Sequence, residues 1–399
     1  MFFPGFFVRF LTILYLCCTS ALATGEDGYE TPLPPLLSTA PDLCAHVPCK
    51  DVLPGADSFS HRMGKPSYVE AYRSKKDGRE LIGYVFLSTD IVDIPAYSGK
   101  PVVTLIGMDT RGIITGVRIL RHSESVLLVG IRESELTKFV AQYVGKFVGD
   151  MIEVGKAGVV GVDAISGATV TVVTQNQVIL RSGLGVARQV GIVTPTIRPQ
   201  AKFTEMANKL DWPALLKEGS IQRLKVDAAE VGMPPSALPY IDLYFGYLNA
   251  PAVGRSVLGD AVYQSLMSRL KPGEHAIFII SHGVGSFKGS GFARGGIYDR
   301  VLVAQDIDSF TFRDLDYLPL YKIEAAGASP YRESAIFIIR SPLFSAAYPW
   351  RLALLANKVD NQTGSRTFVS FDQEYWLPDR HLVGGRPKIE KRVPLGNER

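Results

Sequence analysis

Three short runs between residues 80 and 120, ELIGYVFLST, PVVTLIGMD and GIITGVRIL, are dominated by apolar, largely β-branched side chains and are separated by Gly, Pro and Asp breaks. Such residues suit a pleated, half-buried surface, so each run is expected to be a strand, and DTRG between the second and third is a candidate hairpin turn. The period then changes. Between residues 133 and 147, Leu136, Phe139, Val140 and Tyr143 recur three and four apart and form one apolar face of an amphipathic helix. A further helix is expected over residues 171–186, with its start near 166–169, although its β-branched residues weaken the propensity argument.

The stretch IVTPTIRPQ has two prolines and reads as a linker. Beyond it, VGRSVLGDAVYQSLMSRLK is the clearest helical pattern, ended by KPG. The runs HAIFIIS, RVLVAQD, SFTFRD and SAIFIIR follow at a spacing that suggests a mainly antiparallel sheet. The expected architecture is α+β: a first domain at 68–192 with a small twisted sheet and helices, a linker at 193–205, and a second α+β domain at 206–382. Residues 24–67, rich in Pro, Gly, Ser and Asp, are expected to be an extended lead-in, and 383–399 a polar tail.

Composition narrows the function. With 46% hydrophobic and 21% charged residues, the chain of 399 residues is ordinary for globular protein and long enough for two cores. A net charge of +4 without a basic, aromatic-interleaved block gives no reason to expect nucleic acid as a partner. The opening MFFPGFFVRFLTILYLCCTSALA has one early Arg, a short apolar stretch and small residues at Ala21 and Ala23. That is the anatomy of a secretory signal over residues 1–23, so an exported, periplasmic location is expected. Cys17 and Cys18 would leave with it. Cys44 and Cys49 remain, and in an oxidising compartment a local disulfide is the favoured reading over a metal site that includes His46, because a fourth ligand is lacking.

The glycine-rich GVGSFKGSGFARGG fails as a phosphate loop, because Gly289 follows Lys288 where Ser or Thr is required. Neither Ser286 nor Ser290 lies in a nucleophile elbow, so His282 is no evidence for a hydrolase. Tight turns, with Lys288 and Arg294 in solvent or on a partner, account for the stretch.

DAISGAT, residues 163–169, carries more chemistry. Gly167 frees the backbone at the expected helix entry and Ser166 is a candidate cap. Ala168 is small, and the Thr169 hydroxyl would lie where free N–H groups and the helix dipole favour a phosphate. Alone, this is also how an ordinary helix starts.

The heptapeptide resembles the flavinylation pattern Asp-x-x-(Ser/Thr)-Gly-Ala-(Thr/Ser) of FMN-binding domains. The upstream GIITGVRILRHSES is similar to the strand and His-x-Glu loop of those domains, so the likeness covers about residues 75–195. The departure at SVLLVG, together with DLYFGYLNAPAVGRSVLGD and GVGSFKGSGFARGGIYDR, resembles the NosR/NirI family. The resemblance implies FMN held by a phosphoester to Thr169, with Asp163, Ser166, Gly167 and Ala168 forming the motif. It also implies a flavin transferase that uses FAD, and places His122 and Glu124 against the flavin; a solvated turn is the other reading of that pair. It further implies electron relay from a quinol-linked membrane module, in the same or another chain, toward nitrous oxide reductase or its maturation factors. On that reading the chain is an electron-transfer flavoprotein without a small-molecule substrate of its own, and a non-redox assembly module for a copper enzyme is the alternative.

Overall fold

Strand-forming runs of the N-terminal half pair in chain order. The computed structural model describes residue 37 and residues 40–124, 131–150, 152–155, 161–165, 168–205, 208–289, 297–360 and 366–389. The expected signal segment, Ser166, Gly167 and Arg294 lie outside them. Short helices α1 (Leu43–His46) and α2 (Cys49–Val52) precede β1 (Ser58–Phe59), β2 (Val69–Lys75), β3 (Gly78–Leu87), β4 (Val103–Asp109) and β5 (Ile114–Arg121). These five strands form one antiparallel sheet, ordered β1-β2-β3-β4-β5. Then come α3 (Glu133–Ala141), the parallel pair β6 (Glu153–Val154) and β7 (Gly161–Val162), and the long helix α4 (Thr169–Gln189).

Both faces of the sheet are covered, which is why its strands read as nearly continuous apolar runs. Phe86, Ile106 and Met108 pack with Leu136 and Phe139 of α3 and Ile179 of α4. Their neighbours along the strands, Val85, Leu87 and Leu105, face Leu43, Val52 and Leu53.

That second contact corrects the expectation of an unpacked lead-in. Residues 40–56 are a lid on the sheet, closed by a disulfide between Cys44 and Cys49. Paired glycines on β4 and β5 admit it: a Cβ on Gly107 would come within 2.1 Å of the Val52 carbonyl oxygen, and one on Gly116 within 2.5 Å of the Val52 Cα. The Thr115 hydroxyl donates to the same carbonyl at 2.6 Å. Absent side chains at this crossing let backbone approach backbone.

The second region holds α5 (Trp212–Glu218), β8 (Ile221–Val226), β9 (Ile241–Tyr247), α6 (Pro251–Leu258), α7 (Asp260–Arg269) and β10 (His275–His282). After them come β11 (Ile297–Gln305), β12 (Asp308–Arg313), β13 (Tyr317–Leu318), β14 (Glu333–Ile339), β15 (Trp350–Val359) and β16 (Arg366–Tyr375). They form two antiparallel sheets, β13-β14-β10-β9-β8 and β12-β11-β15-β16, so the α+β expectation with mainly antiparallel pairing holds. An aromatic core joins the sheets. Trp350 stacks on Tyr375 and Phe312 on Phe337, both at 4.6 Å between ring centroids. The single helix expected over residues 253–271 is two, because Gly259 takes φ +75°, ψ 161° and turns the chain between α6 and α7.

His275 is buried in this core. Its Nδ1 lies 2.8 Å from the Tyr247 hydroxyl, while Nε2 has no hydrogen-bond partner, and burial lowers its pKa from 6.5 to about 4. Between those values the unfolded chain takes up a proton that the folded chain refuses. The imidazole therefore costs no stability above pH 6.5, and stability falls as pH drops from there toward 4, by up to about 3 kcal/mol from this group. Urea denaturation from pH 7 to 4 should show that His275→Gln flattens this part of the wild-type slope. An unchanged slope would rule His275 out as its source.

The 193–205 stretch lies docked against the second region. Its Arg198 is buried and bonds Asp308 and Asp306, both at 3.2 Å, as well as the Leu343 carbonyl at 2.8 Å. Arg188, near the end of α4, reaches the same Asp308 at 2.9 Å. Two further contacts cross between the regions: the Ser309 hydroxyl donates to Gln177 at 2.8 Å, and Arg351 pairs with Glu153 at 2.6 Å.

Candidate functional site

Helix α4 begins at Thr169, with its N-cap on Ala168 at φ −117°, ψ 37°. Alanine has no side-chain oxygen to offer there, no side chain among the described residues caps the helix, and its first turn contains no acidic residue. Helix starts ordinarily recruit Ser, Thr, Asp or Asn to satisfy the exposed amides.

The loop after β5 braces the same turn. Glu124 is fully buried, and its carboxylate accepts the backbone N–H of Tyr97 at 3.2 Å and of Ser98 at 2.9 Å, together with the hydroxyl of Thr171 in the first turn of α4. His122 is buried beside it. The His122 Nδ1 accepts the Glu124 N–H at 3.3 Å, and Nε2 lies 3.4 Å from the Glu133 carboxylate. A solvated turn is therefore not what these two residues make. Glu124 ties three segments together: residues 97–98, its own loop and the start of α4.

Glu124→Ala would leave two part-buried amides and a buried hydroxyl without their acceptor, at about 1–3 kcal/mol for each group not rescued by water. Thermal melts should show a drop of several degrees, while Glu124→Gln, which keeps an acceptor oxygen, should lose less. Equal losses would mean that packing, and not hydrogen bonding, is the contribution of residue 124.

Asp163 is exposed and its backbone is clamped. The Gln142 side chain accepts the Asp163 N–H at 2.8 Å and donates to the Asp163 carbonyl at 3.3 Å. Gln142 follows the end of α3 and drew no notice in the sequence, because a lone Gln after a helix carries no pattern. Its signal is spatial. Residues 163–165 border an open cavity of about 490 Å³, with Arg132, Lys138 and Phe139 on its other side. That volume lies within the range of roughly 300–1,000 Å³ common to cofactor sites. Arg132 and Lys138 line the cavity together with Glu135 and Asp163, Lys138 pairing with Glu135 at 2.9 Å, and Phe139 and Ile165 offer an apolar wall to a ring.

Residues 97–179 match the FMN-binding domain family model, a span that takes in Tyr97, His122, Glu124, Asp163, Thr169 and Thr171. Over 359 residues, 84% of the chain, it is 38% identical to "Regulatory protein NosR" of Pseudomonas aeruginosa, covering 50% of that protein. It is 36% identical over 349 residues, 82% of the chain, to "Regulatory protein NosR" of Stutzerimonas stutzeri, and covers 47% of it. The chain is a homologue of the NosR/NirI proteins. "Protein NirI" of Paracoccus denitrificans is more distant, at 29% over 349 residues, with 83% of this chain and 48% of NirI aligned. The chain spans about half the length of these curated relatives. Likeness to NosR continues well past the FMN-binding domain, so the second region belongs to what the NosR/NirI proteins share.

Proposed function

We propose that this protein is an exported flavoprotein of denitrification that carries FMN as a phosphoester of Thr169 and relays electrons from a quinol-linked membrane module toward nitrous oxide reductase. The observation that carries this reading is the start of α4. A threonine opens a helix whose N-cap is an alanine and whose first turn lacks acidic side chains, just after residues 163–165 that border a cavity of cofactor size.

FMN, when bound, would supply the conversion between two-electron and one-electron transfer that links quinols to metal centres. This chain's own residues hold and position the group. The first amides of α4 and the helix dipole favour the phosphate. Gln142 fixes the backbone at Asp163, where the motif begins. Glu124 locks the first turn of α4 against residues 97–98, so that an attached group inherits a fixed origin. A flavin transferase would form the ester from FAD: the Thr169 oxygen becomes bonded to the FMN phosphorus, and AMP leaves. An exported protein has no cytoplasmic pool from which to replace a lost cofactor, and an ester removes dissociation as a failure.

The test is intact mass of the denatured chain after co-expression with a transferase, followed by reduction with a quinol-linked donor and stopped-flow reoxidation by nitrous oxide reductase. A covalent flavin that passes electrons in neither direction would overturn the relay and leave the attachment standing.

A further inference from the structure

Tyr97 stands at the tip of a tight turn. Pro95 and Pro101 bridge at its base, the Gly99 N–H donates to the Ala96 carbonyl at 2.9 Å, and Gly99 takes φ +75° to close it. Ile94, Pro95 and Ala96 are buried, whereas Tyr97 is 44% exposed. A single exposed ring is ordinary on a protein surface, but a clamped one is not. The peptide N–H groups on either side of the Tyr97 α-carbon, its own and that of Ser98, both donate to the buried Glu124 carboxylate, at 3.2 and 2.9 Å. Peptide units are planar, so holding both of them fixes the direction in which the side chain leaves the backbone. A surface turn needs no such clamp to close, since its own bond from the first residue to the fourth suffices.

The same carboxylate sets where the turn stands. Glu124 Oε2 accepts both the Tyr97 N–H and the Thr171 hydroxyl, so the tip of the turn is two hydrogen bonds from the first turn of α4. Thr169 lies two residues before Thr171, about 3 Å along the helix axis. The ribityl phosphate of FMN joins an ester oxygen to the flavin ring through a chain about 9 Å long when extended, at bond lengths of about 1.5 Å. A side chain fixed this close to residue 169 lies within the sweep of that ring. The brace also runs on toward α3, where His122 accepts the Glu124 N–H and reaches Glu133, the neighbour of the cavity-lining Arg132.

We propose that Tyr97 packs its phenol ring against one face of the isoalloxazine attached through Thr169. The contact rests on the ester proposed above and adds to it the residue that orients the ring. Isoalloxazine is flat and electron-poor and a phenol is electron-rich, a pair that offset stacking favours while covering apolar surface on both. A ring held in this way has one face closed to water and one left for redox partners.

The test uses the full chain co-expressed with a flavin transferase, with the intact mass of each denatured chain as the first readout and flavin emission and visible circular dichroism of the folded chain as the second. A phenol in contact quenches flavin emission by lending the excited ring an electron and taking it back. Tyr97→Leu should therefore brighten the folded protein at least ~2-fold and weaken its dichroism, whereas Tyr97→Phe should brighten it and keep the dichroism, because a phenyl ring stacks without giving up an electron. Tyr321→Leu, which removes an exposed tyrosine of the second region, should change neither. Both Tyr97 variants should melt within a few degrees of the parent, because Glu124 holds backbone N–H groups and not the ring. Absence of an adduct on every chain would overturn the ester and this contact together. An adduct whose emission and dichroism are the same in Tyr97→Leu as in the parent would overturn the contact alone and leave the ester standing. A Tyr97→Leu chain that melts far below the parent would do the same, by showing that the ring supports the fold.

Discussion

Thr169→Val is expected to abolish flavin attachment and leave the fold close to wild type. The substitution exchanges a hydroxyl for a methyl of nearly the same shape, and the helix propensities of Thr and Val are similar. Helix α4 is held by contacts farther along: Val172, Ile179 and Val186 in the core, and Asn176 to the Tyr143 hydroxyl at 2.7 Å. Co-expressed with a transferase, the variant should therefore show the unmodified mass after denaturation and a melting temperature within a few degrees of the unflavinylated parent. Asp163→Ala should lower the flavinylated fraction with little effect on melting, since Asp163 is exposed and Gln142 holds its backbone, not its carboxylate. A flavin-sized adduct that persists on the valine variant would place the ester elsewhere.

Asp308→Ala is expected to be the most damaging single change outside the hydrophobic cores. Asp308 is buried between Arg188 and Arg198, and Arg198 is itself only 3% exposed at its side chain. Removing the shared carboxylate leaves two guanidiniums facing each other. Breaking a buried pair by deleting one partner costs about 3–5 kcal/mol, far more than the pair contributes net, because the surviving charge has lost its compensation. Asp306 still holds one edge of Arg198, so the lower part of that range is the better expectation. Denaturant melts of the variant should show the loss, and limited proteolysis should find residues 193–205 newly susceptible. A change below 1 kcal/mol with no new cleavage would show that the two regions are held together by other contacts.

Periodicity revealed the strands and the face of α3 because burial imposes a pattern on both. The helix at α4 is expected, but nothing in its pattern marks which side is buried, because TQNQ is buried too: Gln175 bonds Thr104 at 3.0 Å, Asn176 bonds Tyr143, and Gln177 bonds Ser309. Over residues 171–180 the helix is enclosed on every side and has no solvent face to write a stripe, and these polar residues are matched to partners 33 to 132 positions away. The lid of residues 40–56 was hidden for the converse reason. Its Pro and Gly content marks a loop, while the evidence for docking lay in Gly107 and Gly116, inside strands that they should weaken. At the candidate site, Asp163 and Thr169 stood out through their spacing. Gln142 and Thr171 did not, since each acts by where the fold puts it.

The joint at Asp308 bears on how the protein could work with other molecules. Carriers that swing a cofactor between distant sites depend on a slack tether. Here the far end of α4 is bolted to the neighbouring region through Arg188, and the segment that follows is pinned by Arg198. A group anchored at residue 169 would be a stationary post, and redox partners would have to come within tunnelling distance of it one after another, or dock on it together.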